Sequence, residues 1–129
     1  MLLIPEPFSD RADTFIAGQQ GPLIVSDLAG VEFSSAMARR VRMRQFTFNE
    51  ARLALSSFDA WVARSATGAE ITSADFALAV SFLRRLDLPL RTLDALHIAV
   101  ARRLNATLVA FDQRMIASAR AIGMAVAAP

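Results

Sequence analysis

The sequence contains no cysteine, no lysine and no tyrosine, and it has a single histidine, His97. Without cysteine there is no disulfide framework, no thiolate metal site and no cysteine nucleophile. Without lysine there is no phosphate-loop lysine, no Schiff-base chemistry and no receiver-type phosphoacceptor. One histidine excludes a multi-histidine metal centre. With only 5 Gly and 5 Pro, collagen-like and low-complexity architectures are excluded as well. No apolar run approaches the roughly 20 residues of a membrane span. The apolar residues 1–4 lack the basic flank of a secretion signal, so the expected compartment is the cytoplasm, with no membrane partner. Polar chemistry is left to Asp, Glu, Ser, Thr and Arg, with His97 as the lone imidazole.

What is present is ample core material. Hydrophobic residues make up 54% and charged ones 20% of 129 residues, a balance that excludes disorder and suits a single domain spanning residues 1–129. All 14 basic residues are Arg, against 12 acids, for a net charge of +2. The pI of about 10.9 arises because no Lys, Tyr or Cys titrates between neutrality and Arg, and it is a weak pointer to nucleic acid. The clusters Arg39, Arg40, Arg42, Arg44, then Arg84, Arg85, then Arg102, Arg103 suit bidentate phosphate contacts. They equally suit solvated helix faces.

Along the chain, helices and strands alternate. Ser9 caps a short helix over residues 10–17 that Gly18 ends, and Gly21-Pro22 is a turn. Leu23-Ile24-Val25 reads as a buried strand. Ser26 or Asp27 then caps a long amphipathic helix to about Arg44. Thr47-Phe48-Asn49-Glu50 is a capping box, opening a helix to about Arg64. Residues 65–68 read as loop and residues 69–71 as a short strand. Thr72 or Ser73 caps the next helix, with Phe76, Val80 and Leu83 on one face. After the Leu88-Pro89 connector, Thr92 caps a helix over residues 93–104, with Asn105 as its left-handed end. Residues 107–111 form the clearest strand, a helix from Gln113 stops at Gly123, and residues 124–127 make a last strand. Phe33, Phe58, Phe76, Phe82 and Trp61 are assigned to the core. This alternation predicts an α/β fold with a mostly parallel sheet covered on both faces.

In such sheets, sites form beyond the carboxyl ends of the strands. Three acids fall near those places. Glu32 lies on the first turns of the helix that leaves the Leu23-Ile24-Val25 strand, Asp94 in the first turn of its helix, and Asp112 at the end of the 107–111 strand. Converging on one rim, these carboxylates would hold a hard divalent cation such as Mg²⁺ or Mn²⁺, which prefers oxygen ligands and leaves positions for water and phosphate. Each acid also has a plainer role. Asp94 complements a helix dipole for roughly 0.3–1 kcal/mol, Asp112 caps a helix for about 1 kcal/mol, and Glu32 faces water. His97 stands three residues past Asp94 on the same helix face, as a histidine hydrogen-bonded near the site.

Three segments carry a family resemblance: Val25-Ser26-Asp27-Leu28-Ala29-Gly30-Val31-Glu32-Phe33, Leu88-Pro89-Leu90-Arg91-Thr92-Leu93-Asp94-Ala95-Leu96-His97-Ile98-Ala99, and Ala106-Thr107-Leu108-Val109-Ala110-Phe111-Asp112. In order and spacing they resemble PIN-domain proteins, of the VapC-type toxin branch of bacterial toxin–antitoxin pairs. The opening Ile4-Pro5-Glu6-Pro7-Phe8-Ser9-Asp10 and the tail from Gly123 are similar too. The resemblance implies a three-layer α/β/α domain and a Mg²⁺-dependent ribonuclease with a cluster of four acids, three of them at Glu32, Asp94 and Asp112. It further implies an RNA substrate, a homodimer and a small antitoxin partner.

One departure stands out. The family opens with a central strand ending in Asp, and here that strand and its Asp are expected to be missing, with Asp10 and Asp13 poorly placed to replace it. A coding start upstream of Met1, a strand borrowed from a partner, or strands closing over the gap would each accommodate this. Two functions therefore compete: a metal-dependent ribonuclease toxin, and a catalytically inactive, truncated module that only binds its antitoxin or dimerises.

Overall fold

The computed structural model describes residues 2–3, 23–109 and 113–127. The helix expected over residues 10–17 and the end of the strand expected over residues 107–111 lie outside them. Five strands form one parallel sheet: β1 (Leu2–Leu3), β2 (Leu23–Ser26), β3 (Ala66–Ala69), β4 (Leu108–Val109) and β5 (Val126–Ala127), in the order β3-β2-β1-β4-β5. The described helices are α1 (Asp27–Arg42), α2 (Phe48–Ser65), α3 (Ser73–Leu83), α4 (Thr92–Arg103) and α5 (Gln113–Ala121).

The centre of the sheet corrects one expectation. Leu2 is in register with Ile24 of β2 on one side and Leu108 of β4 on the other, and Leu3 with Val109. Among the described residues, Leu2 and Leu3 therefore fill the central place. They supply the backbone partners that β2 and β4 would otherwise lack. In the sequence this strand is followed by Ile4-Pro5-Glu6, with no Asp directly behind it.

Both faces of the sheet are covered, and alternation along single strands shows it. Ile24 packs into a large apolar cluster built from α3, α4 and α5, with Phe82, Ile98, Leu108 and Ile116 among its members. Its neighbour Val25 packs with Ala29, Phe58 and Trp61 on the side of α1 and α2. Val126 and Ala127 of β5 divide in the same way. Successive strand residues point to opposite faces, so this split defines a three-layer α/β/α arrangement. Helix α1 touches both layers through adjacent residues, Leu28 in the large cluster and Ala29 in the other.

Local sequence explains most of the elements. Ser26 ends β2 and caps α1 without an intervening loop, its Oγ accepting from the Ala29 amide at 3.4 Å. Ala29, Phe33 and Met37 form the buried stripe of α1 at four-residue spacing. Phe33 meets α2 in a stacked pair with Phe58, ring centroids 4.4 Å apart. The Thr47–Glu50 capping box forms in both directions, at 3.1 and 3.0 Å.

Three expectations are corrected. The third strand is Ala66–Ala69, where a loop was expected, with Leu23 to Ser26 paired in register to Ala66 to Ala69. Ala-Thr-Gly-Ala carries no strand signal of its own, and the open edge of β2 supplies one. Helix α3 buries Asp75, Ala79 and Phe82, so the Phe76–Val80 face turns outward, with Phe76 53% exposed. Thr92 is the first helical residue of α4, and Arg91 takes the cap position.

Asp75 explains the rotation of α3. Its buried carboxylate accepts from the Thr72 amide at 2.8 Å and pairs with Arg103 through two hydrogen bonds, at 2.7 Å from Nε and 3.1 Å from Nη2. Arg103 Nη2 also donates to the Glu70 carbonyl at 2.8 Å. This clamp ties the start of α3 to the end of α4. Burial pushes the Asp75 carboxyl up, but hydrogen bonds from Arg103 and the Thr72 amide, with the Arg103 charge, outweigh it and hold it below the usual carboxylate range.

Candidate functional site

Glu32 and His97 come from helices on different sides of the chain's middle, and the fold brings them into contact. Leu28 packs in the same cluster as the buried face of α4, and Glu32 follows it by four residues on the same stripe of α1. That stripe delivers the Glu32 carboxylate to α4, where Oε1 meets Nε2 of His97. The imidazole is 1% exposed and the carboxylate 23% exposed, so the contact joins the core to an accessible rim. Nε2–H donates to the carboxylate. Nδ1 is buried and, among the described residues, has no hydrogen-bond partner.

Asp94 stands one turn before His97 on the same helix. Its Oδ2 accepts from the Arg91 amide at 3.2 Å and lies 3.7 Å from Arg91 Nε, and its side chain is 19% exposed. The role as acceptor at the start of α4, one of its plainer readings, is thus present. Partial exposure leaves the carboxylate accessible as well. Asp112 lies outside the described residues, directly before α5 in the sequence.

Of the three acids singled out in the sequence, the structure therefore links Glu32 to the helix of Asp94. Among the described residues, no group of three or more His, Asp or Glu side chains is placed to hold a metal ion. Two carboxylates do match the oxygen chemistry of Mg²⁺, which is commonly held by one or two carboxylates while waters and substrate phosphate complete its shell. His97 is not a ligand in this arrangement, because its Nε2 faces Glu32.

A separate cleft of about 380 Å³ lies between β3 and the end of α4, lined by Thr67, Glu70, Thr72 and Arg103 among others. It includes neither Glu32 nor Asp94. The sequence reading expected His97 to be hydrogen-bonded near the site but did not name Glu32 as its partner, and it did not find the Asp75–Arg103 clamp. For the first, the four-residue step from Leu28 to Glu32 was a usable signal. For the second, 28 residues separate the partners and no local pattern links them.

A parallel sheet in this strand order, covered on both faces and carrying acids at the starts of α1 and α4, defines a class of compact α/β domains. The comparisons give it a family. The sequence model of the PIN domain matches residues 2–121, and the chain belongs to the PIN domain family. No curated protein sequence matches the chain. Among solved structures, the fold is similar to that of VapC20 from Mycobacterium tuberculosis, described as a sarcin-ricin loop cleaving toxin, with a TM-score of 0.72 at 18% identity over 100% of both chains. VapBC2 from Rickettsia felis, bound to a DNA fragment from its promoter, gives 0.67 at 12% identity over 100% of this chain and 99% of that one. FitAcB from Neisseria gonorrhoeae gives 0.63 at 13% identity over 98% and 96%. At these identities the likeness establishes a VapC-like fold. Among the described residues, no helix is long and apolar enough to cross a membrane.

Proposed function

We propose that this chain is a metal-dependent endoribonuclease of the VapC type, the toxin of a toxin–antitoxin pair, acting in the cytoplasm as a single domain over residues 1–129. The observation that carries this reading is the placement of Glu32 against α4, one turn from Asp94, in a PIN-family chain. Glu32, Asp94 and Asp112 would hold Mg²⁺ or Mn²⁺. Such an ion supplies an activated water and offsets charge on the phosphoryl oxygen. The chain's own residues bind and orient the substrate. Arg91, exposed beside Asp94, offers a guanidinium for the RNA backbone, and His97 fixes Glu32. The partners are an RNA substrate, a small antitoxin and a second copy in a homodimer.

A second reading has one observation in its favour. No Asp directly follows the two residues of β1 in the sequence, and the described residues contain no three-acid group. On that reading the chain is an inactive module that binds its antitoxin or dimerises. An RNA-cleavage assay separates the two: the folded chain is incubated with Mg²⁺ or Mn²⁺, beside an EDTA control and the Asp94→Asn variant. Metal-dependent cleavage that is lost in the variant supports the nuclease. A folded chain with no cleavage under either metal assigns it to the binding module.

A further inference from the structure

Resting on the nuclease reading, we propose that His97 is a positioning residue: its Nε2–H holds one oxygen of Glu32 and thereby presents the other to a divalent cation. Glu32 reaches the rim on a long side chain with several rotatable bonds, and a free carboxylate there would sample many orientations. The imidazole that grips it is 1% exposed and set in a stretch of α4 in which residues 95–101 are all buried. The ring is consequently fixed by packing, and one hydrogen bond transfers that fixity to a partly exposed carboxylate.

The competing roles for His97 are poorly supported by the same geometry. A metal ligand or proton carrier needs a nitrogen facing the ion, the substrate or water, whereas Nε2 is taken by Glu32 and Nδ1 is buried. A purely space-filling role is poorly served by a residue whose buried Nδ1 has no partner among the described residues, which an apolar side chain would avoid. What distinguishes histidine at this position is its polar contact with Glu32.

The test is Mn²⁺ binding to the 129-residue chain, followed by electron paramagnetic resonance, with circular dichroism to establish folding. We expect His97→Leu to weaken Mn²⁺ binding by about tenfold, in the range seen when a hydrogen-bond partner of a metal ligand is removed. His97→Gln, whose amide N–H reaches the position of Nε2, should bind Mn²⁺ nearly as tightly as the unmodified chain. In a Glu32→Ala background, adding His97→Leu should change nothing further, since the two residues act as one unit. A folded His97→Leu chain that binds Mn²⁺ as tightly as the unmodified one overturns the proposal, as do independent, additive effects of the two substitutions. If His97→Leu does not fold, His97→Asn replaces it: its amide stops short of Glu32, and equal affinity for the Asn and Gln variants overturns the proposal. An unmodified chain that binds no Mn²⁺ removes the nuclease reading and this inference together, whereas normal binding with an insensitive His97→Leu variant removes only the inference.

Discussion

Gly30 lies four residues past the Ser26 cap, inside α1, where an added Cβ would meet nothing within 4 Å. Leu86 lies just past the end of α3 with φ of 66° and 89% exposure, a left-handed backbone under a side chain with nothing to pack against. Glycine inside a helix costs about 1 kcal/mol relative to alanine, and a left-handed leucine a similar amount. We expect Gly30→Ala and Leu86→Gly each to raise stability by about 0.5–1 kcal/mol, and to add nearly independently, as a few degrees in a thermal melt. Asn105 (φ 51°) and Gly123 (φ 89°) hold the same backbone region with residues suited to it, which is why both were legible as helix ends. Leucine carries no such signal, and Leu86 was not. On the proposed nuclease reading, Asp94 combines two roles that substitution can separate. Asparagine still accepts from the Arg91 amide but loses the charge, so Asp94→Asn should cost less than about 1 kcal/mol in a denaturant titration while removing metal-dependent cleavage.

The Asp75–Arg103 clamp makes α3 and α4 an acid-sensitive pair. The folded-state pKa of Asp75 is depressed, so the stability it contributes is present above the unfolded carboxyl value of about 3.9 and is lost as pH falls through the lower folded value. Asp75→Asn should lower stability at neutral pH by about 2–4 kcal/mol, because it leaves Arg103 without its carboxylate beside a buried polar site. Urea midpoints measured between pH 2 and pH 6 should then show a shallower acid limb in the variant than in the unmodified chain. For the remaining elements, legibility followed the local signal. Strand β2, helices α1 and α2 and the Thr47–Glu50 box were readable because capping and periodicity are written in adjacent residues. Strand β3 was not, since its pairing comes from β2. The outward turn of Phe76 was hidden for a related reason: α3 is apolar on several sides, and the side that goes in carries Asp75, whose partner Arg103 lies far along the chain.

Among the described residues, Leu2 and Leu3 occupy the middle of the sheet. Their ladders join the β2–β3 side of the sheet to the β4–β5 side. A proline at Leu3 removes a central N–H, and we expect Leu3→Pro to abolish the cooperative thermal transition seen by circular dichroism. The presence of this strand was not legible because Leu-Leu before Ile-Pro carries too little local pattern to be told from a helix end. Glu32 and Asp94 were singled out from their places behind strands and at helix starts, and the structure sets Glu32 against the helix of Asp94, while the contact of Glu32 with His97 required the packing of α1 on α4. That packing has a consequence for descent. Residues 95–101 of α4 form a run with no watered side, and Ala95, Ala99 and Ala101 have no room to grow. Neutral drift can rewrite the arginine-bearing outer surfaces of α1 and α2 with little penalty, but it finds no silent position in this run. The run that carries His97, directly after Asp94, is therefore expected to accept fewer substitutions than those outer surfaces.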